Sequence, residues 1–203
     1  GGAFFMRRSF RDNPLYATVF NEYMHVMFTR GYSVEYFVEG GRSRTGRMLP
    51  PRPGMLSMTV RSFLRDHRKP IVFVPVYIGY EKVMEGRSYL GELRGKKKQK
   101  ESVFGLAKTA RKLTNSFGRV AVNFGDAIPL ADVLDEVHES WRSEAYDAEY
   151  RPTWLTEAAD ELSKRVASNI NASVAVNPIG MTATVLLGTE RLAMDEGQLI
   201  RLM

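Results

Sequence analysis

The chain contains no cysteine in its 203 residues. That excludes a disulfide framework, a thiolate zinc site and a cysteine nucleophile, and agrees with a reducing compartment. Histidine is scarce too, at three. None has a second His, Asp or Glu at metal-ligand spacing, so no metal is expected. Gly41 and Gly46 imitate the spacing of a P-loop, but Arg47-Met48 follows in place of Lys and Ser/Thr. The residues that would hold phosphate and magnesium in a nucleotide hydrolase are therefore missing. No Gly-x-Ser-x-Gly elbow occurs, which makes Ser43 a hydrogen-bonding group rather than a nucleophile. Residues 166–189 carry no charge, yet Asn169, Asn171, Asn177 and Pro178 interrupt them. A spanning helix needs roughly 20 predominantly apolar residues, so two packed helices broken at Pro178 are expected instead. Acidic residues are sparse in the first half. Residues 1–119 hold 23 Lys/Arg against 9 Asp/Glu, and residues 120–203 hold 6 against 14. A positive first half draws anionic partners, whether phosphates, anionic lipid, an acidic carrier protein or nucleic acid.

What is present is organised around residues 34–47. The apolar run 36–38 has the look of a buried strand ending at Glu39. Gly40 and Gly41 follow, then Arg42, Ser43, Arg44 and Arg47. Both glycines are expected to turn the backbone with positive φ and bring amide N–H groups close to a ligand. Arginines flanking a serine offer fork-shaped charged donors plus a hydroxyl. That set suits a phosphate or a phosphate ester.

Around this stretch, strands and helices alternate. Residues 3–6 form a short apolar run delivering Arg7 and Arg8; a strand and a frayed terminus both fit. Asn13-Pro14 predicts a helix start, with Asn as cap and Pro in the first turn. Tyr16, Val19, Phe20, Tyr23, Met24 and Met27 keep helical spacing, and Gly31 closes the helix. His25 lies on it as a surface or packed residue. The proline-rich stretch 50–54 stiffens the exit from the glycine–arginine loop, and 55–65 reads as a helix. The run 71–78 has the signature of a strand buried on both faces. Pro75 in its middle implies either an edge strand or a deliberate kink. Residues 94–100, rich in lysine, form a solvated loop or a docking patch. A helix over 102–117 and a strand over 119–124 follow. Residues 131–151 are acidic and read as a covering segment or linker. Thr156 caps a further helix with Ala158, Leu162, Val166 and Ile170 inward. The class is α/β, a mixed or parallel sheet flanked by helices and followed by a helical C-terminal segment. The expected divisions are 1–130, 131–155 and 156–203. In such sheets ligands gather at the carboxyl ends of strands, where the 39–47 turn and Tyr80-Glu81 would lie.

Three blocks then resemble the glycerol-3-phosphate acyltransferases. Gly2-Ala3-Phe4-Phe5-Met6-Arg7-Arg8 resembles their second conserved block. Phe37-Val38-Glu39-Gly40-Gly41-Arg42-Ser43-Arg44 resembles the third, and residues 71–81, Ile-Val-Phe-Val-Pro-Val-Tyr-Ile-Gly-Tyr-Glu, the fourth. The Gly-Gly of the third block is similar to the large bacterial type. The likeness continues in order through 92–95, 122–125 and 151–156. It implies transfer of a fatty acyl group from an acyl carrier protein or coenzyme A thioester to glycerol 3-phosphate. The product would be a lysophosphatidate in phospholipid synthesis. It implies no cofactor, no nucleic acid, an anionic membrane surface as partner, and the cytoplasmic face of a bacterial inner membrane. By the same resemblance Arg7 and Arg8 lie near the phosphate of the acceptor. Glu39, Gly40, Gly41, Arg42, Ser43 and Arg44 bind glycerol 3-phosphate, and Pro75 shapes the fourth block.

One departure stands out. The family's first block, His-x-x-x-x-Asp, supplies the general base and the carboxylate that orients it. Here His25, His67 and His138 have Arg30, Val72 and Ser143 five positions on. The base is therefore expected outside this chain, as part of a longer protein. The competing reading is a non-catalytic basic domain that binds nucleic acid or an anionic membrane surface. It explains the charge of residues 1–119 but not three ordered blocks, and the exposed aromatics that single-strand binders interleave with Lys/Arg are lacking.

Overall fold

A computed structural model describes residues 2–7, 9–10, 12–41, 43, 47–80, 118–190 and 193–203. Arg8, Arg42, Arg44, Glu81, the lysine-rich stretch 94–100 and the helix expected over 102–117 lie outside the described residues. The chain divides into two units. The described residues of Gly1–Ser43, Arg47–Pro75 and Asp126–Asn169 make the first, and those of Val76–Gly125 and Ile170–Met203 the second.

The first unit begins with α1 (Pro14–Arg30), bounded as its ends dictate. Asn13 Oδ1 accepts the Tyr16 N–H at 2.9 Å, Pro14 occupies the first turn, and Gly31 ends the helix at φ 81°. Loss of an Asn cap costs about 1 kcal/mol. Asn13→Ala is expected to lower the unfolding free energy by about that amount. Urea denaturation measures it, and an unmoved midpoint would show that this cap contributes nothing. Of the apolar positions in α1, Phe20 and Met24 are buried, while Val19 and Tyr23 remain largely in solvent. Phe20 also meets Phe4 and Phe10 of the preceding segment, with ring centroids at 6.1 and 5.3 Å. Residues 2–7 belong to no ladder.

Helix α2 (Gly54–Arg65) buries Leu56, Val60, Phe63 and Leu64 and packs on α1. Polar ties fix the pair. His25 Nδ1 lies 2.9 Å from Ser62 Oγ, and Arg65 forks onto both carboxylate oxygens of Glu22 at 2.7 and 3.0 Å. Partial burial, then the neighbouring Arg65 charge, hold the His25 pKa below its ordinary value. His25 is thus a packed residue that joins two helices.

Strand β1 (Val72–Phe73) pairs antiparallel with β4 (Ile128–Pro129). The chain then enters α3 (Leu130–Val137) and a 3₁₀ turn (Glu139–Ser143). Leu130, Val133, Leu134 and Trp141 are buried, so residues 130–143 point apolar side chains inward and acids outward. Helix α4 runs Leu155–Ala172. Thr156 falls inside its first turn and so is not its cap, since the helix has already begun at Leu155. Leu155, Ala158, Ala159, Leu162 and Val166 are buried; Ile170 is only half-buried.

The second unit contains β2 (Val76–Tyr80) paired antiparallel with β3 (Val120–Phe124) over five residues, from Val76↔Phe124 to Tyr80↔Val120. The α/β class holds, and both described ladders are antiparallel, where a mixed or parallel sheet was expected. The apolar run 71–78 is not one strand buried on both faces. It breaks at Val74-Pro75, because proline cannot donate to a ladder, and its two halves take different partners. Val72, Val74, Val76 and Ile78 are between 38% and 51% exposed, so burial alternates along the run. Helix α5 (Pro178–Leu187) starts where Pro178 suggests, with Asn177 Oδ1 accepting the Gly180 N–H. None of its residues is buried, so it is not the packed helix expected from its apolar sequence. Helix α6 (Glu196–Leu202) is capped by Asp195. Among the described residues no helix is long and apolar enough to cross a membrane.

Candidate functional site

The described residues of the glycine–arginine turn belong to the first unit and are held by what surrounds them. Residues 32–37 form no ladder, so the strand expected over 34–38 is absent. Val34, Tyr36 and Val38 are half-buried, and Phe37 is 78% exposed. The segment is fastened through side chains to α2. Thr59 Oγ1 gives its hydrogen to Met55 O at 2.9 Å, so the Tyr36 hydroxyl, 3.4 Å away, is the donor to Thr59. Burial pushes the Tyr36 pKa up to about 12 and keeps it a neutral phenol.

Beyond Tyr36 the chain turns. Gly40 N–H donates to Phe37 O at 3.2 Å, and Gly40 adopts φ 58°, a left-handed conformation that favours glycine. Gly41 is not in that region, so only one of the two glycines is needed for the turn. Glu39 Oε2 accepts the Leu49 N–H at 2.7 Å, and the Arg52 N–H donates to Val38 O at 2.8 Å. These two bonds clasp the outgoing chain to the incoming one. The carboxylate of Glu39 therefore has a backbone partner of its own. Ser43, within the clasped span, is half-buried. Sequence reasoning treated residues 50–54 as a stiff exit and missed that Arg52 folds back to this turn. Prolines on both sides of it were the available signal, since they restrict where an intervening residue can point.

Arg7 is anchored elsewhere. Its N–H donates to the Tyr16 hydroxyl at 3.0 Å, and its guanidinium lies 5.0 Å from the centre of the Tyr16 ring. Pro75 is buried at the break between β1 and β2. Arg8, Arg42 and Arg44 lie outside the described residues. Of the sequence candidates, the structure therefore brings Glu39, Gly40 and Gly41 into one clasped turn with Ser43 in its span, and fixes Arg7 against α1. Among the described residues, no three His, Asp or Glu side chains are grouped as a metal site.

The other histidines are also engaged. His67 stands edge-on to Trp141 at 5.4 Å. His138 stacks on Trp154 at 4.8 Å and pairs through Nε2 with Glu144. No Asp follows any of the three at the fifth position.

Two family models match successive parts of the chain. Residues 1–79 match the Acyltransferase family, and residues 89–203 match the glycerol-3-phosphate acyltransferase C-terminal region. The chain belongs to the glycerol-3-phosphate acyltransferase family. A glycerol-3-phosphate acyltransferase of Pseudomonas fluorescens (strain Pf-5) is 58% identical over 203 residues, which is 100% of this chain and 24% of that protein. One of Ectopseudomonas mendocina (strain ymp) is 57% identical over the same span, again 24% of its length. The chain thus spans 24% of the length of these curated relatives. Within the family assignment, the clasped turn at Glu39–Gly41 falls in the acyltransferase match, and α3 to α6 fall in the C-terminal region.

Proposed function

We propose that this chain forms the acceptor-holding part of an enzyme that moves a fatty acyl group from a thioester to glycerol 3-phosphate. The observation that carries this reading is the match of 58% identity over every residue to a protein of that name, with the Glu39–Gly41 turn inside it. The chemistry is an acyl transfer. The glycerol hydroxyl oxygen attacks the thioester carbonyl as a base takes the hydroxyl proton, the C–S bond breaks, and the departing thiolate takes that proton and leaves as the thiol. In this reading Arg42, Ser43 and Arg44 bind the phosphate, Arg7 and Arg8 line its approach, and the acceptor is thereby oriented. The donor is an acyl carrier protein or coenzyme A thioester, and the reaction runs at the inner face of a bacterial membrane. A basic domain for nucleic acid would account for the charge of residues 1–119 and for none of the family match.

The test replaces the matching stretch of the Pseudomonas fluorescens relative with these residues and assays acyl transfer to labelled glycerol 3-phosphate. Turnover is expected. In that protein Arg44→Ala is expected to raise KM for glycerol 3-phosphate about tenfold or more, because a lost arginine–phosphate fork costs about 1.5–3 kcal/mol. Arg44→Lys should recover part of it, since a point charge does not replace the fork. An unchanged KM in Arg44→Ala would remove this residue from the site. Absence of turnover in a folded hybrid would remove the reading.

A further inference from the structure

We infer that Arg52 is an additional phosphate-binding side chain at the Gly40 turn, an inference that rests on the acceptor reading above. Three observations carry it. The first is position. A Cβ added to Gly40 would lie 2.8 Å from Arg52 Cδ, 3.6 Å from Cγ and 3.5 Å from Nε. The Arg52 side chain therefore crosses the face of Gly40 that lacks a side chain. Gly40 is favoured by its φ of 58°, and a side chain there would also displace the arginine lying against it.

The second is availability. Three guanidinium groups of the first unit are committed: Arg65 forks onto Glu22, Arg68 onto Asp66, and Arg165 onto Glu136 with Glu161. Arg52 is exposed and has no carboxylate partner among the described residues. Glu39 is the only acid between residues 36 and 65, and its Oε2 takes the Leu49 N–H. The third is fixation. The Arg52 N–H is bonded to Val38 O, and Pro51 and Pro53 flank the residue. The base of the side chain is therefore set before any ligand arrives, and the guanidinium needs little ordering to meet one. A tetrahedral dianion at this turn accepts two parallel N–H bonds from such a fork.

The experiment titrates the 203-residue chain with glycerol 3-phosphate and with inorganic phosphate by calorimetry at low salt. Arg52→Gln is expected to weaken both by about tenfold or more, and Arg52→Lys by less. A matching unfolding midpoint for Arg52→Gln certifies that the variant is folded. Gly40→Ala pushes the arginine aside, so its penalty should shrink in the Arg52→Gln background; two independent effects would simply add. Unchanged affinity in Arg52→Gln overturns the inference, as does a wild-type chain that binds neither anion. Preference for glycerol 3-phosphate with no dependence on Arg52 would leave the acceptor reading standing and remove this one. Equal binding of both anions, lost in Arg52→Gln, would keep Arg52 as a phosphate ligand and count against the acceptor reading.

Discussion

Given a palmitoyl thioester and labelled glycerol 3-phosphate, the 203-residue chain alone is expected to form no acylated product above background. The hydroxyl must lose a proton as it attacks, and general-base help is typically worth about 10²–10⁴-fold. None of the three histidines is followed by Asp at the fifth position. Each is also occupied: His25 with Ser62 between two helices, His67 against Trp141, and His138 with Glu144 and Trp154. Glu39 is held in the clasp, with its Oε2 accepting the Leu49 N–H. The same assay on the hybrid with the Pseudomonas fluorescens relative, which is expected to supply a His-x-x-x-x-Asp block, should show turnover. A short chain that turns over at a comparable rate would mean that one of these four residues is the base.

The largest effect on stability is expected from Trp141→Ala. Trp141 is 1% exposed, its ring centre is 5.5 Å from that of Phe63, and its Nε1–H donates to Asp135 at 2.8 Å. Arg142 also pairs with Asp135 and lies over the indole at 4.4 Å. Truncation removes the largest fully buried side chain among the described residues and leaves a cavity where α2 meets the 3₁₀ turn. Such changes cost about 3–5 kcal/mol. Against the total of about 5–15 kcal/mol usual for a domain, much of the folded population is at stake. Trp141→Phe keeps one ring in place while losing the N–H donor and part of the buried volume, so its cost should be smaller. The midpoint of urea unfolding, at constant slope, reports both. A loss under about 1 kcal/mol in Trp141→Ala would show that the surroundings collapse onto the space.

Sequence carried local features well and pairing poorly. The ends of α1 were readable because Asn13, Pro14 and Gly31 each act within a few residues of themselves. Pro75 was readable as an interruption for the same reason. What each side of it pairs with was not, since β4 and β3 lie some 50 residues downstream and nothing in residues 71–80 encodes the choice. The apolar residues 36–38 suggested a buried strand, but an apolar run has no means of reporting whether a ladder partner exists. Here the segment is anchored by a tyrosine hydroxyl and a backbone bond instead. At the site, Gly40 was legible from its chemistry. Arg52 was not, because its proximity to Gly40 depends on a chain reversal between them.

The clasp made by Glu39 on Leu49 and by Arg52 on Val38 has a thermodynamic consequence. Fixing one residue's backbone costs about 1–2 kcal/mol in conformational entropy. At Val38, Glu39, Leu49 and Arg52 that cost falls on folding, because the bonds that order them are made without any ligand. An anion arriving at the turn meets these four residues already fixed. Substitutions elsewhere in the first unit should reach its affinity only by loosening those two bonds.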